Sequence, residues 1–211
     1  ESGNTLCGPF VGKVMASALA MGESNACMKR IVAAPTAGAC GVLPAVLVNY
    51  QKEKGTADEQ IVRALYTAAG IGQVVAARAY IAGASGGCQA EIGTASAMAA
   101  GALTALGGGT PSQITHAAAM ALKNLLGLVC DPVGGLVEVP CVKRNVIGSV
   151  NALSAADMAL AGIISRIPPD QVIDAMREVG DQMHPSLRET GQGGLANTPA
   201  AREWCAAQEE E

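Results

Sequence analysis

Aromatic side chains are scarce in this chain: Phe10, Tyr50, Tyr66, Tyr80 and Trp204 are the only ones among 211 residues. The core cannot then rest on large rings, and the alanine and glycine that replace them require helix backbones to approach closely. Only two histidines occur, His116 and His184, so few side chains exchange protons near neutral pH. Fourteen basic residues stand against eighteen acidic ones, a formal net charge of -4. They form no basic stripe, and with no aromatic platform beside them nucleic-acid binding has little support and is not expected. Strand-type alternation is nearly absent. The uncharged stretch 92–122 is interrupted by GGGTPSQ and carries Gln113, His116 and several hydroxyls, which reads as core helix and not as a membrane span. No secretory signal pattern opens the chain, and its seven cysteines lack paired spacing. A reducing compartment permits that arrangement, so the cytoplasm is the expected location.

Ala, Leu, Met, Glu and Gln dominate the long segments, and their spacing predicts helix throughout. Helices are expected near 5–22, 40–54, 57–82, 88–107, 111–127, 139–165 and 169–183, with glycine or proline at most junctions. The clearest starts are Thr56-Ala-Asp-Glu59, Thr110-Pro111-Ser112-Gln113 and Pro168-Pro169-Asp170-Gln171, where a capping side chain or a proline at the first helical position precedes an apolar run. The expected fold is all-α, a multi-helix bundle with Gly/Pro-rich loops and a single domain over 1–211. A chain of this length buries about 70% of its unfolded surface and needs no disulfides. The acidic end, Gln208 to Glu211, is expected to be solvated and mobile. The opening Glu1-Ser2-Gly3-Asn4 lacks an initiator methionine, which leaves open that the chain is a fragment of a longer one.

Three cysteines stand in the breaks between helices. Cys88 lies in GASGGCQAEIG, Cys130 in LGLVCDPVGG and Cys141 in VEVPCVKRN, the last two across a loop stiffened by Pro132 and Pro140. Thiolates at rigid turns point to a metal site. A structural zinc site is disfavoured, since it draws a close C-x2–4-C pair and none is present. Iron–sulfur clusters accept wide separation when loops converge, and three thiolates on a four-iron cluster leave one iron open to act as a Lewis acid. The competing reading is that all three are small buried apolar residues.

At these residues the chain resembles the α subunit of bacterial iron–sulfur L-serine dehydratases. The resemblance runs through IVAAPTAGACGVLPAVL (31–47), GASGGCQAEIGTASAMAAGAL (83–103), LKNLLGLVCDPVGGLVEVPCVKRN (122–145) and RETGQGGLA (188–196). The wording KNLLGLVCDPV and CVKRN is similar to the two-subunit type, in which the α chain works with a separate β chain. The resemblance implies a lyase of amino-acid catabolism and gluconeogenesis. It further implies that Cys88, Cys130 and Cys141 hold a 4Fe-4S cluster, that L-serine loses water to give pyruvate and ammonia at an open iron, and that the assembly is a hetero-oligomer or a homodimer of αβ units. The fused enzymes carry a further cysteine soon after GGLA; here Cys205 comes later, which makes it a doubtful fourth ligand. They also carry a histidine six residues before the second cluster cysteine, where Asn124 stands here. A histidine of the β partner is therefore the expected base, and no catalytic residue is assigned within this chain.

Candidate substrate-binding residues are Thr36, Lys143 and Arg188. Thr36 lies in PTAGACG, a loop suited to cradle an anion on backbone N–H groups. Lys143 and Arg144 follow Cys141, where they would bind the substrate carboxylate, offset the cluster's charge, or simply be solvated. Arg188 and Glu189 either anchor the C-terminal turn or help to close the site. Asp131 reads as a turn or cap residue, and Glu91 as an acid at a helix start. His116 and His184 read as structural, and Cys40 as no ligand. Cys7 and Cys27 are expected in helix packing. Among other classes, pyridoxal phosphate chemistry needs a lysine beside a phosphate loop, and none of the six lysines (13, 29, 52, 54, 123 and 143) has one. A non-catalytic helical scaffold with buried structural cysteines remains the alternative.

Overall fold

A computed structural model describes residues 5–209. Glu210 and Glu211, the end of the expected acidic tail, lie outside the described residues. The long helices are α1 (Gly8–Ala26), α2 (Val42–Lys54), α3 (Asp58–Arg78), α5 (Thr94–Leu106), α6 (Pro111–Lys123), α7 (Cys141–Leu160), α8 (Pro169–Gln182) and α9 (Pro199–Glu209), with a single turn, α4, at Gly83–Gly86. Among the described residues no β-strand forms beyond one isolated parallel bridge between Cys130 and Arg188. The all-α expectation holds, and no described helix is long and apolar enough to cross a membrane.

α5 is the centre of the bundle. Every residue from Thr94 to Thr104 is buried, so this helix is apolar all round, as a helix enclosed on every side must be. α2, α3, α6 and α7 pack around it. The side chains between them are mostly alanine, including Ala95, Ala97, Ala99, Ala100 and Ala102 on α5 and Ala117 to Ala119 on α6. Close approach follows from that chemistry. At Gly148 of α7, a Cβ would stand 2.9 Å from Ile92 and 3.1 Å from Val42, tighter than ordinary side-chain contact.

Helix starts follow the expected chemistry in two cases out of the three singled out. Thr110 forms a full capping box with Gln113: the Thr110 hydroxyl accepts from the Gln113 N–H at 3.3 Å, and the Gln113 side-chain oxygen accepts from the Thr110 N–H at 2.9 Å. Pro169 occupies the first position of α8. At α3 the cap is Ala57 and no side chain caps the end; Asp58 instead accepts from Gln51 at 2.6 Å. The helix expected over 88–107 is also more complex than its pattern. Residues Gln89–Gly93 form a π-helical turn that runs straight into α5, and such turns redirect side chains where a site is built. Cys7 and Cys27 flank α1 and are exposed, which corrects the packing role expected of them.

Candidate active site

Cys88 enters the π-helical turn, Cys130 sits in the loop after α6, and Cys141 is the first residue of α7. All three are buried free thiols. The turn into Cys88 needs glycine. Gly87 has φ +78°, and a Cβ there would stand 2.6 Å from the Met183 methyl, so both backbone and space forbid a side chain. Cys130 is fixed by backbone pairing: its N–H donates to Leu187 at 2.8 Å, and its carbonyl accepts from the Glu189 N–H at 2.7 Å. The 187–195 segment therefore runs beside the second thiol.

Buried polar side chains fasten these loops. Gln89, 0% exposed, donates to Gly86 and Met176 carbonyls at 2.9 and 3.0 Å and accepts from the Gly127 N–H at 2.9 Å. Asn145, 1% exposed, donates to the Gly38 carbonyl at 2.8 Å and accepts from the Gly41 N–H at 2.8 Å, tying the 36–41 loop to α7. Asp131, 3% exposed, pairs with Arg144 at 2.8 Å and accepts from the Leu195 N–H at 2.8 Å. Arg144 also donates to the Val129 carbonyl at 2.7 Å. The bonds of Gln89 to Met176 and Gly127, of Asn145 to Gly38 and Gly41, and of Asp131 to Leu195 join segments far apart in sequence.

The thiols feel one another. Burial is the main cause in each case and holds the proton on sulfur. Cys88 is pushed up to about 12, with Arg144 opposing the rise and Glu91 and Cys141 adding to it. Cys141 is pushed up to about 11 by burial and then Glu91, with Arg144 again opposing. Cys130 is driven well up by burial and then by Cys88 and Glu91. Mutual repulsion of this kind requires short separations in a poorly solvated place. Arg144 favours the thiolates of Cys88 and Cys141.

Cys130 and Cys141 line a cavity of about 430 Å³, with Gly38, Glu91, Leu136 and Glu189 among its other walls. No group of three or more His, Cys, Asp or Glu side chains among the described residues closes on a single metal ion. A polynuclear cluster is larger and takes its thiolates from spread positions. Three mutually coupled buried thiols, a cavity at two of them and a partly buried guanidinium offsetting the charge of Cys88 and Cys141 fit such a group.

The other candidate residues divide. Thr36 is at the site, where its hydroxyl donates to Glu91 Oε1 at 2.6 Å and keeps its acceptor lone pairs. Lys143 is exposed on α7 and lies outside the cavity wall. Arg188 contributes its backbone to the bridge with Cys130, while its neighbour Glu189, held at φ +63°, lines the cavity. His184 caps the turn at Pro185–Leu187, its Nδ1 within 2.8 Å of the Ser186 hydroxyl. His116 sits on α6 with Nδ1 buried and unpartnered, away from the cavity wall. Cys40 is buried and directs its thiol to the Met21 carbonyl at 3.7 Å, and burial raises its pKa. Cys205 lies on α9 against the 133–135 turn, where a Cβ at Gly134 would stand 3.2 Å from its sulfur; it is not part of the cavity wall. Sequence reasoning assigned Glu91 a helix-end role. It is in fact a half-buried carboxyl facing the cavity, with its pKa raised by burial against the Thr36 hydrogen bond. Its spacing of three from Cys88 was the available signal.

In class, this is an all-α domain with a buried thiol-walled cavity beside the start of its central helix. The chain belongs to the serine dehydratase alpha chain family, whose model matches residues 1–196. It is 57% identical over 203 residues to a probable L-serine dehydratase, alpha chain, of Bacillus subtilis, covering 96% of this chain and 68% of that protein. The probable L-serine dehydratase, alpha chain, of Latilactobacillus sakei is 58% identical over 183 residues, 87% of this chain and 88% of that one. The L-serine dehydratase, alpha chain, of Peptoniphilus asaccharolyticus is 51% identical over 198 residues, 94% of this chain and 68% of that one.

Proposed function

We propose that this chain is the α subunit of an L-serine dehydratase, which eliminates water from L-serine to give pyruvate and ammonia, and that Cys88, Cys130 and Cys141 hold a 4Fe-4S cluster in it. The observation that carries the proposal is the burial of these thiols, from separate motifs, close enough to repel one another, with Cys130 and Cys141 on the wall of one cavity. When bound, the cluster supplies an iron without a protein thiolate, a Lewis acid for the departing hydroxide. The chain's own residues supply the surroundings. Arg144 offsets the negative charge of the thiolates and is itself oriented by Asp131. Asp131 also holds Leu195, which keeps the 187–195 segment over Cys130. Loss of the α-proton and of hydroxide leaves an enamine, which tautomerises to an imine and takes up water to release ammonia and pyruvate.

The proton acceptor is assigned to a β subunit. Neither His116 nor His184 lines the cavity, and the naming of the relatives as alpha chains supports a companion chain. The working enzyme is then an αβ assembly in the cytoplasm. The test is an anaerobic assay of the iron-loaded α chain with and without its β partner, following pyruvate and ammonia together. Equal amounts of both products from the pair, lost on exposure to oxygen, are expected. An iron-loaded pair that leaves serine unchanged, or an iron-free pair that consumes it, overturns the proposal.

A further inference from the structure

The described wall of the cavity carries Glu91, Glu138 and Glu189 and includes no lysine, arginine or histidine. That balance is the reverse of what a site recognising only a carboxylate requires, and an amino acid brings one charge of each sign. Among the three, Glu91 is set apart by its surroundings. Glu138 and Glu189 are exposed, whereas Glu91 is half-buried and no described Lys or Arg pairs with it. Its one hydrogen-bond partner is Thr36, at Oε1, which orients the carboxyl without neutralising it. A carboxylate withdrawn from water with no cation is an unfavourable arrangement in the empty site and a favourable one once a cation arrives.

The position fits the chemistry. Glu91 follows Cys88 by three residues on the π-helical turn, so it moves as one piece with the first thiol. A Cβ at Gly83 would stand 3.0 Å from Glu91 Oε2 and 2.8 Å from the Cys130 sulfur, and one at Gly38 would stand 3.0 Å from Oε1. The carboxyl and the second thiol therefore border the same spot, with bare backbone on both sides of the carboxyl.

We propose that Glu91, oriented by Thr36, receives the ammonium group of the substrate and so selects an α-amino acid over a hydroxy acid of the same shape. This rests on the functional reading above. Carbon-bound oxygens of the substrate face the thiol side of the cavity while the ammonium is held on Glu91, and the assignment of carboxylate recognition to Lys143 is not needed.

The test compares wild type with Glu91→Gln in the iron-loaded αβ enzyme. Glutamine keeps the acceptor for Thr36 and loses only the charge. The readouts are iron and sulfide content, KM for L-serine, and Ki for 3-hydroxypropanoate, which has the carboxylate and β-hydroxyl without the ammonium. Glu91→Gln is expected to raise the serine KM by about 10- to 100-fold, the range of one charge-assisted hydrogen bond, with cluster content unchanged and Ki for 3-hydroxypropanoate unchanged or lower. Glu91→Asp, which keeps the charge on a shorter arm, recovers part of the loss. If Glu91→Gln loses iron, the Thr36→Val and Thr36→Ser pair decides: the first raises the serine KM with little change in Ki for 3-hydroxypropanoate, and the second restores it. An unchanged serine KM, or equal weakening of serine and 3-hydroxypropanoate, overturns the proposal. A wild-type enzyme that is fully loaded and ignores serine overturns the functional reading instead, and this inference with it.

Discussion

Around α5, Ala95, Ala97, Ala99, Ala100 and Ala102 are buried against alanines and small aliphatic side chains of neighbouring helices, while at the thiol end Gln89, Asp131 and Asn145 are buried just as deeply and each bonds to backbone of a distant segment. The first region is held by close packing, which is non-directional and tolerates sliding. The second is held by directional bonds whose partners have no alternative. The difference explains how loops rich in glycine and proline keep three thiols in place: buried side chains bond to the backbone around them, and at Cys130 backbone pairing with the 187–189 segment adds to this.

Breaking the thiol end at the sulfurs has the largest expected effect. Cys130→Ser should lower serine turnover by at least about a thousandfold through loss of the Lewis acid, while far-ultraviolet circular dichroism stays unchanged because α5 and its neighbours do not depend on that sulfur. Next comes the fastening around the sulfurs. Asp131→Ala leaves the partly buried Arg144 without its anion and the Leu195 N–H without an acceptor, so a loss of about 2–4 kcal/mol is expected in urea unfolding. The alanine core should respond less: Ala100→Leu overpacks α5 and is expected to destabilise by about 1–3 kcal/mol, without loss of iron binding in the fraction that folds. Lys143→Ala, on the exposed side of α7, should change stability by less than about 0.5 kcal/mol and leave the serine KM alone; a marked rise in KM would restore the carboxylate role read from its place beside Cys141.

A pH titration sharpens the same contrast, because α5 carries no titrating side chain. In the cluster-free chain, burial lifts Cys88 from 9.0 to about 12 and Cys141 from 9.0 to about 11. A raised folded value means that the neutral thiol is favoured by folding, so its contribution is full below pH 9 and is lost as pH climbs towards the folded values. The urea midpoint of the cluster-free wild type should fall from about pH 9 upward, and the triple serine variant should fall less.

Much of the bundle was legible in the sequence. The apolar period and the Gly/Pro punctuation placed seven long helices close to their observed bounds, and the same breaks singled out Cys88, Cys130 and Cys141. Local signals sufficed because helices are local objects. What escaped was set by contacts across the chain. Asn145 reaches back over a hundred positions to Gly38 and Gly41, and Asp131 reaches Leu195; a polar residue in a helix or turn gives no hint of such a partner. Glu91 was misread because an ordinary helix start exposes its early acids, whereas the π-helical turn rotates this one into the cavity wall. Lys143, two residues past Cys141 on α7, is exposed and outside the described cavity wall.

The most direct test of the central claim is anaerobic reconstitution of the chain with iron and sulfide, counted per chain and followed by absorption, beside Cys88→Ser, Cys130→Ser and Cys141→Ser. The account predicts about four irons and four sulfides in the wild type and loss of that uptake in each variant. A wild type that takes up no more iron and sulfide than the variants would contradict it.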